Sequence, residues 1–269
     1  MKFSNENNRF RDFIGGFDAR DETLPLVHTT RAKLFDKILD GETLNPTHCD
    51  QFEEDILYLF YGRPAYRTPA AVSKRLEFNW PFSFVIDPSK VKSIRAVYPM
   101  DTGAFALDLY KGFFDPTTDR DDFALEGALV SAKKVTSFLY SSDRDYFTND
   151  PKPSLTVPSR QFEAQAIKAL AELPLSVQPE HANHPRDERS NSIEVQVDEV
   201  LSIKDTVLRL IAPEPWRIEP DFIEAADRWG LEDKLVFYDV TNVREDTNWV
   251  GLLYGEVSRV YKDLGIFDD

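Results

Sequence analysis

Short apolar runs, each closed by turn residues, recur along this chain and restrict it to a fold built partly on sheet. They are LPLVH at 24–28, DILYLFY at 55–61 before Gly62 and Pro64, and FSFVI at 82–86 before Asp87 and Pro88. Later come the alternating IEVQVDEV at 193–200, a partner strand for it at 208–211, and a strand at 234–238. Runs of this length bounded by Gly, Pro and Asp predict strands rather than helices. Helical spacing intervenes between them. Leu34, Phe35, Ile38 and Leu39 mark a short amphipathic helix from an N-cap at Thr30 to Gly41. A second helix is predicted over 160–173 with Phe162, Ala166, Ile167 and Leu170 on its apolar side, a third over 220–229 and a terminal one near 249–264. The first 22 residues read as polar and irregular. Residues 101–158, rich in turn residues and acidic clusters, read as a long insertion with one helix within 123–140. The alternation of elements without internal repeats predicts one α+β domain over residues 1–269, with 101–158 inserted.

Composition narrows the function classes. A content of 42% hydrophobic residues, including 20 Phe, 10 Tyr and 4 Trp, is ample for a buried core. The net charge of −15 repels phosphate backbones and anionic membrane surfaces, so a protein or small-molecule partner is favoured over nucleic acid. A single cysteine, Cys49, excludes an internal disulfide framework and a multi-cysteine zinc site. MKFSNENNRFRDF has no apolar signal core, and no run approaches the roughly 20 apolar residues of a membrane span. These features predict a cytoplasmic protein with no membrane partner.

Three separated segments carry the candidate chemistry: LVHTT at 26–30, LYLFYGRPAYR at 57–67 and SNSIEVQVDEV at 190–200. Together they supply a histidine at a strand end, tyrosines beside a Pro/Arg turn, and a carboxylate on an alternating strand. Period-two alternation places Glu194, Gln196 and Asp198 on one face and Ile193, Val195 and Val197 on the other, toward the core. Breaking the nicotinamide bond of NAD creates an oxocarbenium-like sugar, which needs a held ribose, a gripped leaving ring and a nearby negative charge. A histidine can bond a ribose hydroxyl, a tyrosine can stack on the ring and a carboxylate can supply the charge.

In order and context these segments resemble the ADP-ribosyltransferases of the His–Tyr–Glu type, nearest to the DarT-like bacterial toxins. LVHTT with the helix ending LFDKILDG is similar to that family's first strand and helix. LYLFYGRPAYR is similar to its second signature, and RSNSIEVQVDEV to the strand carrying its glutamate. The resemblance implies a split mixed sheet with flanking helices. It implies NAD as the substrate, with no metal, and transfer of ADP-ribose to an acceptor. It makes His28, Tyr61 and Glu194 the catalytic set, and it places His28, Thr29, Thr30, Tyr61, Arg63, Tyr66, Arg67 and Gln196 around NAD, with Tyr61 or Tyr66 stacking on the nicotinamide. It further implies a toxin or antiphage effector with an antitoxin or regulatory partner.

Plainer readings stand beside these. His28 can be a hydrogen-bonded strand end, the tyrosines can be core, Glu194 can be the solvated half of an edge strand, and Arg63 and Arg67 can pair with surface acids. Asp101-Thr102-Gly103-Ala104 copies the aspartic protease signature, but only one such triplet exists and that chemistry needs two carboxylates. His181, His184 and Asp187 have loose metal-ligand spacing in a polar loop. His48 beside Cys49 suggests a nucleophile and base, yet adjacent strand residues point apart. No Walker loop, G-x-G-x-x-G or G-x-S-x-G occurs. Outside catalysis, the same fold could serve as a nucleotide-binding sensor or partner-binding module, and with water as acceptor the enzyme would be an NAD hydrolase.

Overall fold

Aromatic and β-branched residues at alternating positions make the apolar runs strands, and the apolar helical spacings make helices. The structure, a computed structural model, describes residues 8–67, 72–110, 112–173 and 192–267. In chain order its elements are α1 (Arg9–Gly15), β1 (Leu26–Arg31), α2 (Ala32–Leu39), β2 (Thr43–Leu44), β3 (Thr47–Cys49), β4 (Glu54–Tyr61), β5 (Pro81–Ile86), β6 (Ile94–Tyr98), α3 (Thr102–Ala106), α4 (Leu129–Leu139), α5 (Asp143–Thr148), α6 (Phe162–Ala171), β7 (Glu194–Val197), β8 (Leu201–Ser202), α7 (Ile203–Thr206), β9 (Val207–Pro213), α8 (Pro220–Trp229), β10 (Leu235–Tyr238) and α9 (Trp249–Asp263). The fold is mixed α+β, and no helix among the described residues is long and apolar enough to cross a membrane. The chain divides into two compact units, Met1–Thr23 with Ser93–Val197, and Leu24–Lys92 with Asp198–Asp269. Segment 101–158 is part of the first unit.

In the Leu24–Lys92 and Asp198–Asp269 unit, β10, β9, β5, β1 and β4 lie side by side in that order, with β3 on β4. Among the described residues of this unit only β9 and β10 are parallel; β5 runs antiparallel to both β9 and β1. Every residue of β5 is buried, so both its faces need cover, which explains a run without polar alternation. On the Phe82 side α2 supplies Phe35, whose ring stacks on Phe82 at 3.8 Å, and Trp216, Phe222 and Trp229 close around the pair. Leu253, Val257 and Val260 of α9 add a further buried apolar stripe. Helix α8 ends at Gly230, whose φ of 66° lets its N–H turn back to the carbonyls of Ala226 and Asp227.

Two expectations change here. Thr30 is not an N-cap: β1 stays paired with β5 as far as Arg31, opposite Pro81, so the ladder holds the chain extended for one residue more and Arg31 precedes α2. The strand at 207–213 pairs with β5 and β10, not with the 194–197 strand.

The other unit carries an antiparallel pair, β6 and β7, in which Tyr98 lies opposite Glu194, Val97 opposite Val195 and Ala96 opposite Gln196. The apolar patterns of the sequence do not predict strand β6. Helix α4 packs its Ala132, Val135 and Phe138 into the core, and Phe13 and Phe17 of the N-terminal segment meet Phe138 at 5.3 and 5.2 Å. Residues Arg9–Gly15 are therefore helical rather than irregular. Phe10, Phe13, Ile14 and Phe17 are helically spaced, and Asn8 caps α1 by accepting the Arg11 N–H. Among the described residues of 101–158 there are three α-helices rather than one, because Asp101 and Ser142 cap the short α3 and α5. In α6, Ile167 and Leu170 are buried as expected, but Phe162 is 61% exposed at the first helical position, beside the Arg9 guanidinium at 5.9 Å.

Candidate functional site

The predicted residues fall into a cluster in each unit. In the first, His28 sits on β1 opposite Phe84 of β5, with the ring centroids 6.2 Å apart. Its Nδ1 lies 2.9 Å from the Tyr58 carbonyl oxygen, an acceptor only, so in the neutral ring Nδ1 carries the proton and Nε2 keeps a lone pair. Burial lowers the imidazole pKa against the opposing pull of that bond, so the ring is neutral at pH 7. The half-buried Thr29 shares a 2.9 Å hydrogen bond with Ser83 across the β1–β5 ladder, and Thr30 is buried.

The tyrosines of the second segment lie deeper. Tyr61 is fully buried and its hydroxyl accepts the Leu24 N–H at 3.1 Å. Tyr66 is buried as well and donates its hydroxyl to the Asn79 carbonyl. Arg63 is fully buried, a placement a guanidinium tolerates only with partners, while Arg67 is half-buried. Nearby on β3, His48 turns to Asp55 at 3.5 Å whereas Cys49 receives the Tyr58 hydroxyl at 2.9 Å, so the adjacent pair does point apart.

Glu194 anchors the second cluster. All four residues of β7 are buried, Glu194 being 1% and Gln196 0% exposed, whereas Asp198, just beyond the strand, is exposed. Glu194 is therefore not the solvated half of an edge strand. A buried carboxylate must have its oxygens filled. The Thr102 N–H donates to Oε2 at 2.9 Å, and the Thr102 hydroxyl and the Gln196 amide donate to Oε1 at 2.8 and 2.7 Å. Arg95 fixes the orientation of that amide by donating to Gln196 Oε1 at 2.6 Å.

Burial and, next, the neighbouring Asp101 carboxylate push the Glu194 carboxyl up to about 7, against the hydrogen bonds from Gln196 and Thr102. The group thus exchanges a proton near neutrality. Tyr98, opposite it on β6, is pushed up to about 12, chiefly by burial and then by Asp121.

Sequence reasoning missed Thr102, Asp101, Arg95 and Tyr98 as neighbours of Glu194. The Asp-Thr-Gly-Ala motif was the available signal, since an Asp three residues before a free N–H is an N-cap pattern. His181, His184 and Asp187 lie outside the described residues. Compared with protein-family models, with curated proteins and with solved structures, the chain has no match in any of the three.

Proposed function

We propose that this chain is an NAD-dependent ADP-ribosyltransferase, cleaving the nicotinamide glycosidic bond and passing ADP-ribose to a protein or small-molecule acceptor. The observation that carries the reading is the histidine: His28 is neutral, with Nδ1 tied to the Tyr58 carbonyl, which leaves Nε2 as a fixed acceptor. A ribose hydroxyl is a donor that such an acceptor recognises. The reading gives Glu194 the task of orienting the 2′-hydroxyl and, once ionised, of stabilising the sugar cation. Because Tyr61 and Tyr66 use their hydroxyls on backbone groups, any stacking on nicotinamide would involve only their rings. A neutralising partner protein follows from the same family resemblance.

One observation favours a second reading, a nucleotide-binding module without turnover: Glu194 is almost wholly withdrawn from solvent. Incubating the protein with NAD, alone and with cell lysate, separates the two. Nicotinamide release that is lost in Glu194→Gln and His28→Ala supports the enzyme, and labelled macromolecules then distinguish transfer from hydrolysis. NAD binding without any release would replace the enzyme with the binding module.

A further inference from the structure

The Asp101-Thr102-Gly103-Ala104 motif has no second copy to make a protease, yet its first two residues bear on Glu194. Asp101 Oδ1 accepts the Ala104 N–H at 2.6 Å, capping α3 and holding the backbone at residue 102 in place. The N–H and hydroxyl of Thr102 then close on opposite oxygens of Glu194 at 2.9 and 2.8 Å. All three residues are buried, Asp101 at 2%, Thr102 at 0% and Glu194 at 1% exposure, so water does not compete for these contacts.

We propose that Asp101 and Thr102 are positioning residues for Glu194, Thr102 by fixing which way its oxygens face and Asp101 by capping α3, the helix that begins at Thr102, and standing as the charge beside Glu194. The assignment rests on the reading of Glu194 as the acid that acts on NAD. Two opposing influences meet at Glu194. The Thr102 donors favour its ionised form, while burial and the Asp101 carboxylate favour the protonated one. The other groups facing this cluster in the unit are Gln196 on β7 with Arg95 of β6 behind it, and Tyr98 on β6, itself next to Arg120 and Asp121. None of these is a carboxylate in contact with Glu194, which leaves Asp101 as the charge whose removal should be felt most.

The test is carboxyl carbon NMR of protein labelled at glutamate, with the Glu194 resonance identified by its loss in Glu194→Gln. Asp101→Asn keeps a capping oxygen, and it should lower the Glu194 titration midpoint by about one unit or more. Thr102→Val should raise it, and Thr102→Ser should restore it. The pH profile of nicotinamide release should move the same way in kcat with KM unchanged, a shift that a purely structural role would not produce. If Asp101→Asn and Thr102→Val leave the midpoint unmoved while the unaltered protein releases nicotinamide, the positioning role is wrong and the enzyme reading stands. If the midpoints move but no nicotinamide is released, the enzyme reading falls and the control of Glu194 by these residues stands. Should Thr102→Val fail to fold, Asp101→Asn decides alone.

Discussion

Thr102 grips Glu194 with two groups at once, its backbone N–H on one carboxylate oxygen at 2.9 Å and its hydroxyl on the other at 2.8 Å. With Gln196 donating as well, the site offers three donors and demands acceptors. An amide at position 194 would turn its NH2 toward one of those donors. Against those donors, burial and the Asp101 carboxylate make the carboxyl hold its proton to an unusually high pH, and stability should register this. A carboxyl raised from 4.5 to about 7 by folding contributes stability that is fully present below about 4.5 and is lost as pH rises through about 7. Urea midpoints measured from about pH 5 to about pH 8 should therefore fall more steeply for the unaltered protein than for Glu194→Gln. Parallel curves would show that the carboxyl does not titrate in that window.

His28 should titrate below the ordinary imidazole value, because burial disfavours its charged form. At pH 7 its ring nitrogens, assigned by comparison with His28→Asn, should show a neutral ring protonated at Nδ1, as the 2.9 Å contact to the Tyr58 carbonyl requires. A ring protonated at Nε2 alone, or an imidazolium at that pH, would remove the acceptor on which the NAD proposal depends.

Gly127 is needed for lack of a side chain. A Cβ there would stand 2.0 Å from the Ile94 carbonyl oxygen and 2.9 Å from the carbonyl group of Arg95, both backbone atoms that cannot swing aside. Gly127→Ala should destabilise the protein by about 3 kcal/mol, the upper end of ordinary overpacking. Chemical denaturation measures this directly, and a loss below about 0.5 kcal/mol would mean that the segment relaxes freely.

Phe35 is the centre of the aromatic core between α2, α8 and β5, stacked on Phe82 and edge-on to Trp216 and Trp229. Phe35→Ala should cost about 3–5 kcal/mol and alter tryptophan fluorescence in the folded state, since two indoles lose a packing partner. Unchanged emission with a small stability loss would mean that the rings repack around the vacancy.

The sequence by itself determined which segments are extended and which helical in several of the patterned runs, though not in the helically spaced start at Phe10, Phe13, Ile14 and Phe17. Strands β4, β5 and β10 and helices α8 and α9 lie within a residue of their expected limits, and α8 at Pro220–Trp229 matches them outright. Strands β4 and β5 and helices α8 and α9 are long enough, or punctuated clearly enough by Gly or Pro, for local preference to decide them. Elements of five or six residues such as α3 and α5 escaped, because a single capping side chain defines them rather than a periodic face. Tertiary structure alone decided the surroundings of Glu194. Alternation assigns side chains to opposite faces of a strand but cannot tell whether the second face meets solvent or protein. Thr102 and Glu194 are 92 positions apart, so their contact, and the burial beside Asp101 that brings the carboxyl near neutrality, come from packing that no local pattern encodes.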